Sequence, residues 1–247
     1  MTDPVHASTD YSSKHYKSHI THFDKVAGPE FGSILEKIIH RTMLTKERLF
    51  DVYNSVKYIS TNVPGDILEV GAWKGGCLGM MGLTLATTAA QKKRVFGIDT
   101  FAGHPRPSPI DIDIYGQPQV ERFNQHASRN EPWAYADYSD TKAWLRGLFG
   151  SQVAFELIKG KVEEISSSSI NVTDGLALIR IDVDWYSPTL HALKTFYPLL
   201  HVGGVLIIDD YGHYEGCKRA VQEFFRENMP KITFTDYSCI TIQKIVK

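Results

Sequence analysis

Apolar residues first become periodic between positions 31 and 61, where they recur every three or four residues. Ile34, Leu35, Ile38 and Ile39 form one stripe, and Leu49, Val52, Tyr53 and Val56 form a second; this is the spacing of two amphipathic helices. Thr45 stands where a hydroxyl caps the second one. After the turn signal Asn62-Val63-Pro64-Gly65 the rhythm changes. Short, almost wholly apolar runs at 66–72, 94–100, 153–158, 176–182 and 205–210 then alternate with helical stretches at 76–90, 140–149, 187–202 and 215–228. Ser187-Pro188 reads as a helix start and Gly203-Gly204 as that helix's end. Two last strands, 231–236 and 239–245, are joined by Tyr237-Ser238, a connection short enough only for an antiparallel pair.

Alternating strands and helices predict an α/β fold: a mostly parallel seven-stranded sheet with a C-terminal antiparallel hairpin, helices on both faces and extra helices at 29–62. Residues 1–28 are polar and carry His6, His15, His19 and His22; they read as a mobile arm ahead of a single domain at 29–247. One stretch, 102–138, breaks the alternation with five prolines, repeated aspartates and scattered aromatics. A segment this long without a period is usually functional, and it reads as an active-site lid or substrate-recognition insertion.

The strand ends carry the chemistry. In Leu68-Glu69-Val70-Gly71-Ala72-Trp73-Lys74-Gly75-Gly76 an apolar run meets an acid, breaks at a glycine and opens a helix. Ligands of open α/β sheets bind at such a turn. About thirty residues on, Asp99 ends the next strand, where a carboxylate accepts the hydroxyls of a ribose. A dinucleotide is the poorer fit, because Trp73 stands where the backbone must approach a pyrophosphate and Glu69 adds a negative charge. One acid for an ammonium, one for a ribose and a helix N-terminus for a carboxylate suit S-adenosylmethionine.

Three further acids, Asp182, Asp209 and Asp210, end two strands whose carboxyl ends should be neighbours. Carboxylates so grouped repel one another unless a cation lies among them. Oxygen ligands favour magnesium or another hard divalent cation. Asp184 is a fourth candidate. A cation beside a methyl donor would bind an acceptor hydroxyl and favour its alkoxide, with Asp182 or, after the acidic pair, His213 as the general base.

Composition narrows the field. A net charge of −1 with interspersed signs gives no reason to expect a nucleic-acid or membrane partner, and no run approaches the roughly 20 apolar residues of a membrane span. The N-terminus lacks a signal-peptide apolar region, and three cysteines without metal-ligand spacing read as reduced thiols in the cytoplasm. The apolar helices before residue 62 offer a surface for a homo-oligomer.

Together with Ile98-Asp99-Thr100-Phe101-Ala102-Gly103-His104-Pro105, Arg180-Ile181-Asp182-Val183-Asp184-Trp185-Tyr186-Ser187-Pro188-Thr189 and Ile208-Asp209-Asp210-Tyr211, the glycine-turn segment resembles the macrocin and mycinamicin sugar O-methyltransferases. Thr42-Met43-Leu44-Thr45-Lys46-Glu47-Arg48-Leu49 resembles the segment before their first strand, so the likeness runs from about residue 42 to the end, without 102–138. It implies a Rossmann-like class I methyltransferase fold, S-adenosylmethionine and magnesium as cofactors, and a sugar-containing small molecule as acceptor. It also implies that Glu69, Gly71 and Asp99 hold the cofactor, with Thr42, Ala72, Trp73 and Asp182 alongside and Thr100, Phe101, Gly160 and Lys161 around the adenosine. Asp182, Asp209 and Asp210 would be the metal ligands. Methylation of a phenol, a catechol or an amino-sugar nitrogen, and non-catalytic S-adenosylmethionine binding, remain alternatives at this point. If Asp99 accepts the ribose hydroxyls, Asp99→Ala should weaken S-adenosylmethionine binding by about 1.5–3 kcal/mol; unchanged affinity in calorimetry of the folded variant would remove Asp99 from the site.

Overall fold

The computed structural model describes residues 23–88 and 93–245. The four N-terminal histidines and the helix end predicted at Ala90 therefore lie outside the described residues. Helix α1 (Phe23–Ile38) begins inside the span assigned to the polar arm and breaks at Gly28-Pro29. Helix α2 (Lys46–Asn62) starts as predicted, with Thr45 Oγ1 accepting the Arg48 N–H at 3.3 Å. Seven strands follow: β1 (Asp66–Val70), β2 (Val95–Asp99), β3 (Phe155–Lys159), β4 (Leu176–Ile181), β5 (Leu200–Ile208), β6 (Thr233–Phe234) and β7 (Ile240–Gln243). They pair in the order β3-β2-β1-β4-β5-β7-β6. The first five are parallel; β7 runs antiparallel to β5, and β6 to β7.

Helices α3 (Gly76–Ala86), α4 (Gln119–Ser128), α5 (Tyr138–Phe149), α6 (Tyr186–Phe196) and α7 (Glu215–Phe225) complete the order. One core joins α1, α2, α3 and α5 to the sheet through Ile38, Leu49, Val56, Leu78 and Phe149. The other joins α6 and α7 to the opposite face through Leu193, Phe196, Val221 and Phe225. Alternate residues of each strand feed one core or the other: Ile67 the first, Leu68 and Val70 the second. The chain leaves β1 toward β2 and β3, then crosses back to β4, so the switch point lies between β1 and β4. A crevice opens there at the carboxyl ends of the strands.

Three local expectations change. The glycine pair Gly203-Gly204 does not end a helix: α6 stops at Phe196, one turn of 3₁₀ helix carries Pro198, and β5 runs from Leu200 straight through the glycines. Proline lacks the N–H needed to extend the helix. Ser187 is not the cap of α6 either; Trp185 holds that position. The Tyr186 N–H donates instead to Asp111 Oδ1 at 2.8 Å, a partner 75 residues away. Segment 102–138, which lacks a sequence period, contains α4 and is fastened to the domain. The buried Asp111 takes two hydrogen bonds from Ser108 in addition to that of Tyr186, and the Glu215 N–H donates to the Ile112 carbonyl at 2.9 Å.

Asp111 thus caps a helix and anchors the insertion with one carboxylate. Asp111→Ala should destabilise the protein by about 1–3 kcal/mol, the cost of stranding buried donors. Urea unfolding would read the loss, and limited proteolysis should show cleavage within 102–118 first. A variant as stable and as resistant as the wild type would deny Asp111 both roles.

Candidate active site

A cavity of about 520 Å³ occupies the crevice, within the range that holds a small ligand. Its floor is the turn after β1. Gly71 adopts φ 96°, and a Cβ there would stand 1.7 Å from the Asp182 carbonyl oxygen. The glycine is therefore required by the β4 backbone, whose Asp182 N–H in turn donates to the Val70 carbonyl at 2.8 Å. Asp99, at the end of β2, folds two loops onto its carboxylate: Oδ2 accepts the Trp73 N–H at 2.8 Å and Oδ1 the Phe101 N–H at 2.7 Å. Both donors have positive φ, 44° for Trp73 and 48° for Phe101.

Of the residues expected around a cofactor, Gly71, Trp73, Asp99, Thr100, Gly160, Lys161 and Asp182 line this cavity, and Thr42, Glu69, Ala72 and Phe101 are not among its lining. Thr42 packs against the start of α3, where a Cβ on Gly76 would lie 2.8 Å from its own Cβ. Glu69 lies beneath the floor because it faces the α3 side of the sheet as the direct neighbour of Arg180. Its Oε1 accepts from Arg180 Nη1 at 2.7 Å. Burial pushes its pKa up to about 7 against the pull of that guanidinium. Adenosine-sized volume, the strand-end carboxylate of Asp99 and the hydroxyl of Thr100 fit an S-adenosyl group.

The strand-end acids divide into two sets. Asp209 is turned away from the cavity: Arg180 Nη2 donates to its Oδ1 at 2.5 Å and Arg48 Nη1 donates to its Oδ2. The carboxylates that lie together are those of Asp182, Asp184 and Asp210, with one oxygen from each within 4.8 Å of the others. Asp209 thus differs from its expected place in the cluster, because the buried Arg180 and the half-buried Arg48 both hold it. Asp182 shares Arg180, accepting from Nη1 at 2.8 Å. Asp210 Oδ2 is buried without a hydrogen-bond partner. Burial raises the pKa of Asp182 and of Asp184 to about 7, with Arg180 pulling Asp182 down and the neighbouring acids pushing both up. Burial and the same neighbours hold Asp210 well above the carboxylate range. An orphaned carboxylate oxygen among three grouped acids fits the oxygen donors that a hard divalent cation takes.

Asp184 also has a strained backbone. Its φ is 62°, and the Trp185 N–H closes a 2.6 Å bond to the Val183 carbonyl across it; this is a γ-turn in its rare positive-φ form. His213, expected as an alternative base, is not part of the cavity wall; its Nδ1 lies 3.0 Å from the Tyr237 hydroxyl. Much of the remaining wall comes from 102–138, to whose residues sequence assigned no individual roles: His104, Arg122, His126, Trp133 and Tyr135, joined by Tyr214 from before α7 and by Met43, Glu163 and Pro188. His104 stood within a motif but without a role. The signal for Arg122 was Val120 and Phe123 following Pro118, a helix start inside a segment without an obvious period.

A doubly wound sheet with an acid-bound glycine turn after β1 and a ribose-type acid after β2 defines the S-adenosylmethionine-dependent methyltransferases. Comparison with known proteins narrows the class. The macrocin-O-methyltransferase (TylF) family model matches residues 34–244. Demethyldecarbamoylnovobiocin O-methyltransferase of Streptomyces niveus is 32% identical over 186 residues, 74% of this chain and 67% of the relative. Mycinamicin III 3''-O-methyltransferase of Micromonospora griseorubida is 29% identical over 197 residues, 79% of this chain and 74% of that protein. Among solved structures, the O-methyltransferase NovP superimposes with a TM-score of 0.69 at 26% identity, covering 83% of each chain. The chain belongs to the macrocin O-methyltransferase family, and it is an O-methyltransferase.

The acid cluster sets a pH dependence. Asp182 and Asp184 have folded-state pKa values raised to about 7 from the ordinary 3.8. Their contribution to stability is therefore complete below the unfolded value and is lost as pH rises through the folded one. Cation-free protein in a chelator should melt at progressively lower temperature between about pH 5 and about pH 8, and magnesium should restore the loss at the upper end far more than at the lower. Melting temperatures indifferent to both pH and magnesium would mean that the cluster carries no buried charge and holds no cation.

Proposed function

We propose that this protein transfers a methyl group from S-adenosylmethionine to a hydroxyl of a sugar-bearing small molecule, assisted by a hard divalent cation. The observation that carries the reading is the continuity of one cavity from Asp99 to Asp182 and Asp184, the latter two grouped with the unpartnered Asp210. The relatives support the acceptor class: two act on mycinamicin III and on a rhamnosyl-tetracenomycin, as their names state. No described helix is long and apolar enough to cross a membrane, and Cys77, Cys217 and Cys239 are buried and free, which accords with work in the cytoplasm.

The donor, when bound, supplies a methyl group on a sulfonium: the acceptor oxygen bonds to the methyl carbon as the carbon–sulfur bond breaks, the sulfur leaves as the neutral thioether of S-adenosylhomocysteine, and the hydroxyl gives up its proton. A divalent cation in the cluster would supply an electrophile for that oxygen and make the hydroxyl more acidic. Asp182 and Asp210 are the acids we assign to it. Arg180 keeps Asp182 in place from beneath, and Arg48 and Arg180 together neutralise Asp209, so the cluster does not expel its own charge. Asp99 and its flanking loops orient the ribose end. The proton goes to Asp184, whose carboxyl is not tied to an arginine by any described ion pair, lines the cavity and has a pKa near neutrality; a base of that strength can take a proton and return it to solvent.

Two variants separate ligand from base. Asp184→Asn tolerates positive φ and should keep the magnesium-dependent rise in melting temperature, while methyl transfer to aryl α-L-rhamnosides falls by roughly 10²–10⁴-fold. Asp182→Asn should lose the thermal response to magnesium as well as turnover, with S-adenosylmethionine affinity retained. Undiminished turnover in both would sink the metal-assisted mechanism; loss of turnover with a retained magnesium response in Asp182→Asn would move the base to Asp182.

A further inference from the structure

His104 lies at the seam between the insertion and the catalytic acids. Its backbone N–H donates to the Trp133 carbonyl at 2.8 Å, which ties the residue after Gly103 to the far end of the insertion. The imidazole is wedged between two indoles, its centroid 4.9 Å from Trp133 and 5.2 Å from Trp185. Trp185 is locked in turn by its Nε1–H on the Pro105 carbonyl at 3.2 Å. The ring therefore has little freedom to rotate, and its Nε2 edge stands 3.5 Å from Asp184 Oδ2. Both groups line the cavity, with side chains 17% and 15% exposed.

An imidazole serving only to fill space would be expected to direct its polar edge to a backbone carbonyl or to solvent. This one directs it to a carboxylate on a strained γ-turn. The backbone at Asp184 leaves the carboxyl plane free to turn, and an oxygen of Asp210 lies within 4.8 Å of one of its oxygens. A carboxyl turned fully toward Asp210 would have its oxygens directed into the acid cluster rather than at an incoming hydroxyl. A donor on the opposite side is what fixes the plane.

We propose that His104 is a positioning residue for methyl transfer: held between Trp133 and Trp185, it donates Nε2–H to Asp184 and aims that carboxylate at the acceptor hydroxyl. The inference rests on the assignment of Asp184 as base. It gives the insertion a direct part in the chemistry, because His104 belongs to the 102–138 wall and also aligns the base.

Two measurements test it, one of which needs no acceptor. Long-range ¹⁵N–¹H correlation of the imidazole groups, assigned with His104→Gln, should show His104 protonated on Nε2 at neutral pH, and Asp184→Asn should perturb that signal. A ring protonated on Nδ1, or one indifferent to Asp184→Asn, overturns the proposal. In kinetics with magnesium and an aryl α-L-rhamnoside, His104→Phe keeps the ring packing but lacks the donor. Its kcat should fall by about 10²-fold, the cost of a misplaced catalytic group, with the KM for S-adenosylmethionine unchanged. His104→Gln, whose amide nitrogen replaces Nε2, should recover most of that loss. Equal loss in both variants would make His104 a packing residue only. Full activity in Asp184→Asn would instead remove the base assignment while leaving the tautomer result to stand on its own.

Discussion

A guanidinium buried in the middle of the sheet governs this site. Arg180 is 1% exposed and reaches Glu69 on β1, Asp182 after β4 and Asp209 after β5. Removing a cation from water costs several kcal/mol unless it is paired, and here three carboxylates from three chain segments take the Nη1 and Nη2 donors, while Nε is buried without a partner. The reverse holds for the acids, since Glu69, Asp182 and Asp209 would not be tolerated so close together without it. The packing around Arg180 follows from this need. Glu69 is its direct cross-strand partner, and Gly97, opposite Glu69 on β2, leaves the space that Leu78 and Leu157 fill.

Arg180 and Arg48 both hold Asp209, although Arg180 also serves Glu69 and Asp182 and Arg48 also serves Asp236, and the carboxylates that lie together are those of Asp182, Asp184 and Asp210. Burial raises the pKa of all three, against the pull of Arg180 on Asp182, and carboxylates so grouped repel one another unless a cation lies among them. The positive φ of Asp184 adds strain at the same point. Strain persists only where its surroundings over-determine it, and here the Val183–Trp185 hydrogen bond and the indole packing of Trp185 do so.

The insertion turns a general methyltransferase crevice into a walled cavity. Asp111 binds it to the start of α6, the Trp73 indole N–H reaches the Tyr135 carbonyl at 3.1 Å, and His104, Trp133 and Trp185 form one aromatic cluster. Aromatic faces beside polar groups suit a ring bearing both C–H edges and hydroxyls, as a sugar does. Much of the cavity wall is therefore supplied by the segment of the chain that departs most from regular alternation.

The sequence by itself determined the sheet, mostly parallel with a reversed end, the glycine turn and the acid that ends β2, because strands and helices declare themselves by local period and strand-end acids by their place after an apolar run. It also brought Asp182, Asp209 and Asp210 to one edge of the sheet. What it could not assign was which acids group together and which are neutralised, since that depends on the directions of Arg48 and Arg180, one from α2 and one from β4. The tertiary structure alone moved Asp209 onto two arginines, placed Asp184 with Asp182 and Asp210, capped α6 with Asp111 and set Glu69 under the floor. Each of these is a contact between residues distant in the chain, decided by which side chains meet once the strands are paired, and a linear pattern of polar and apolar positions carries no record of that meeting.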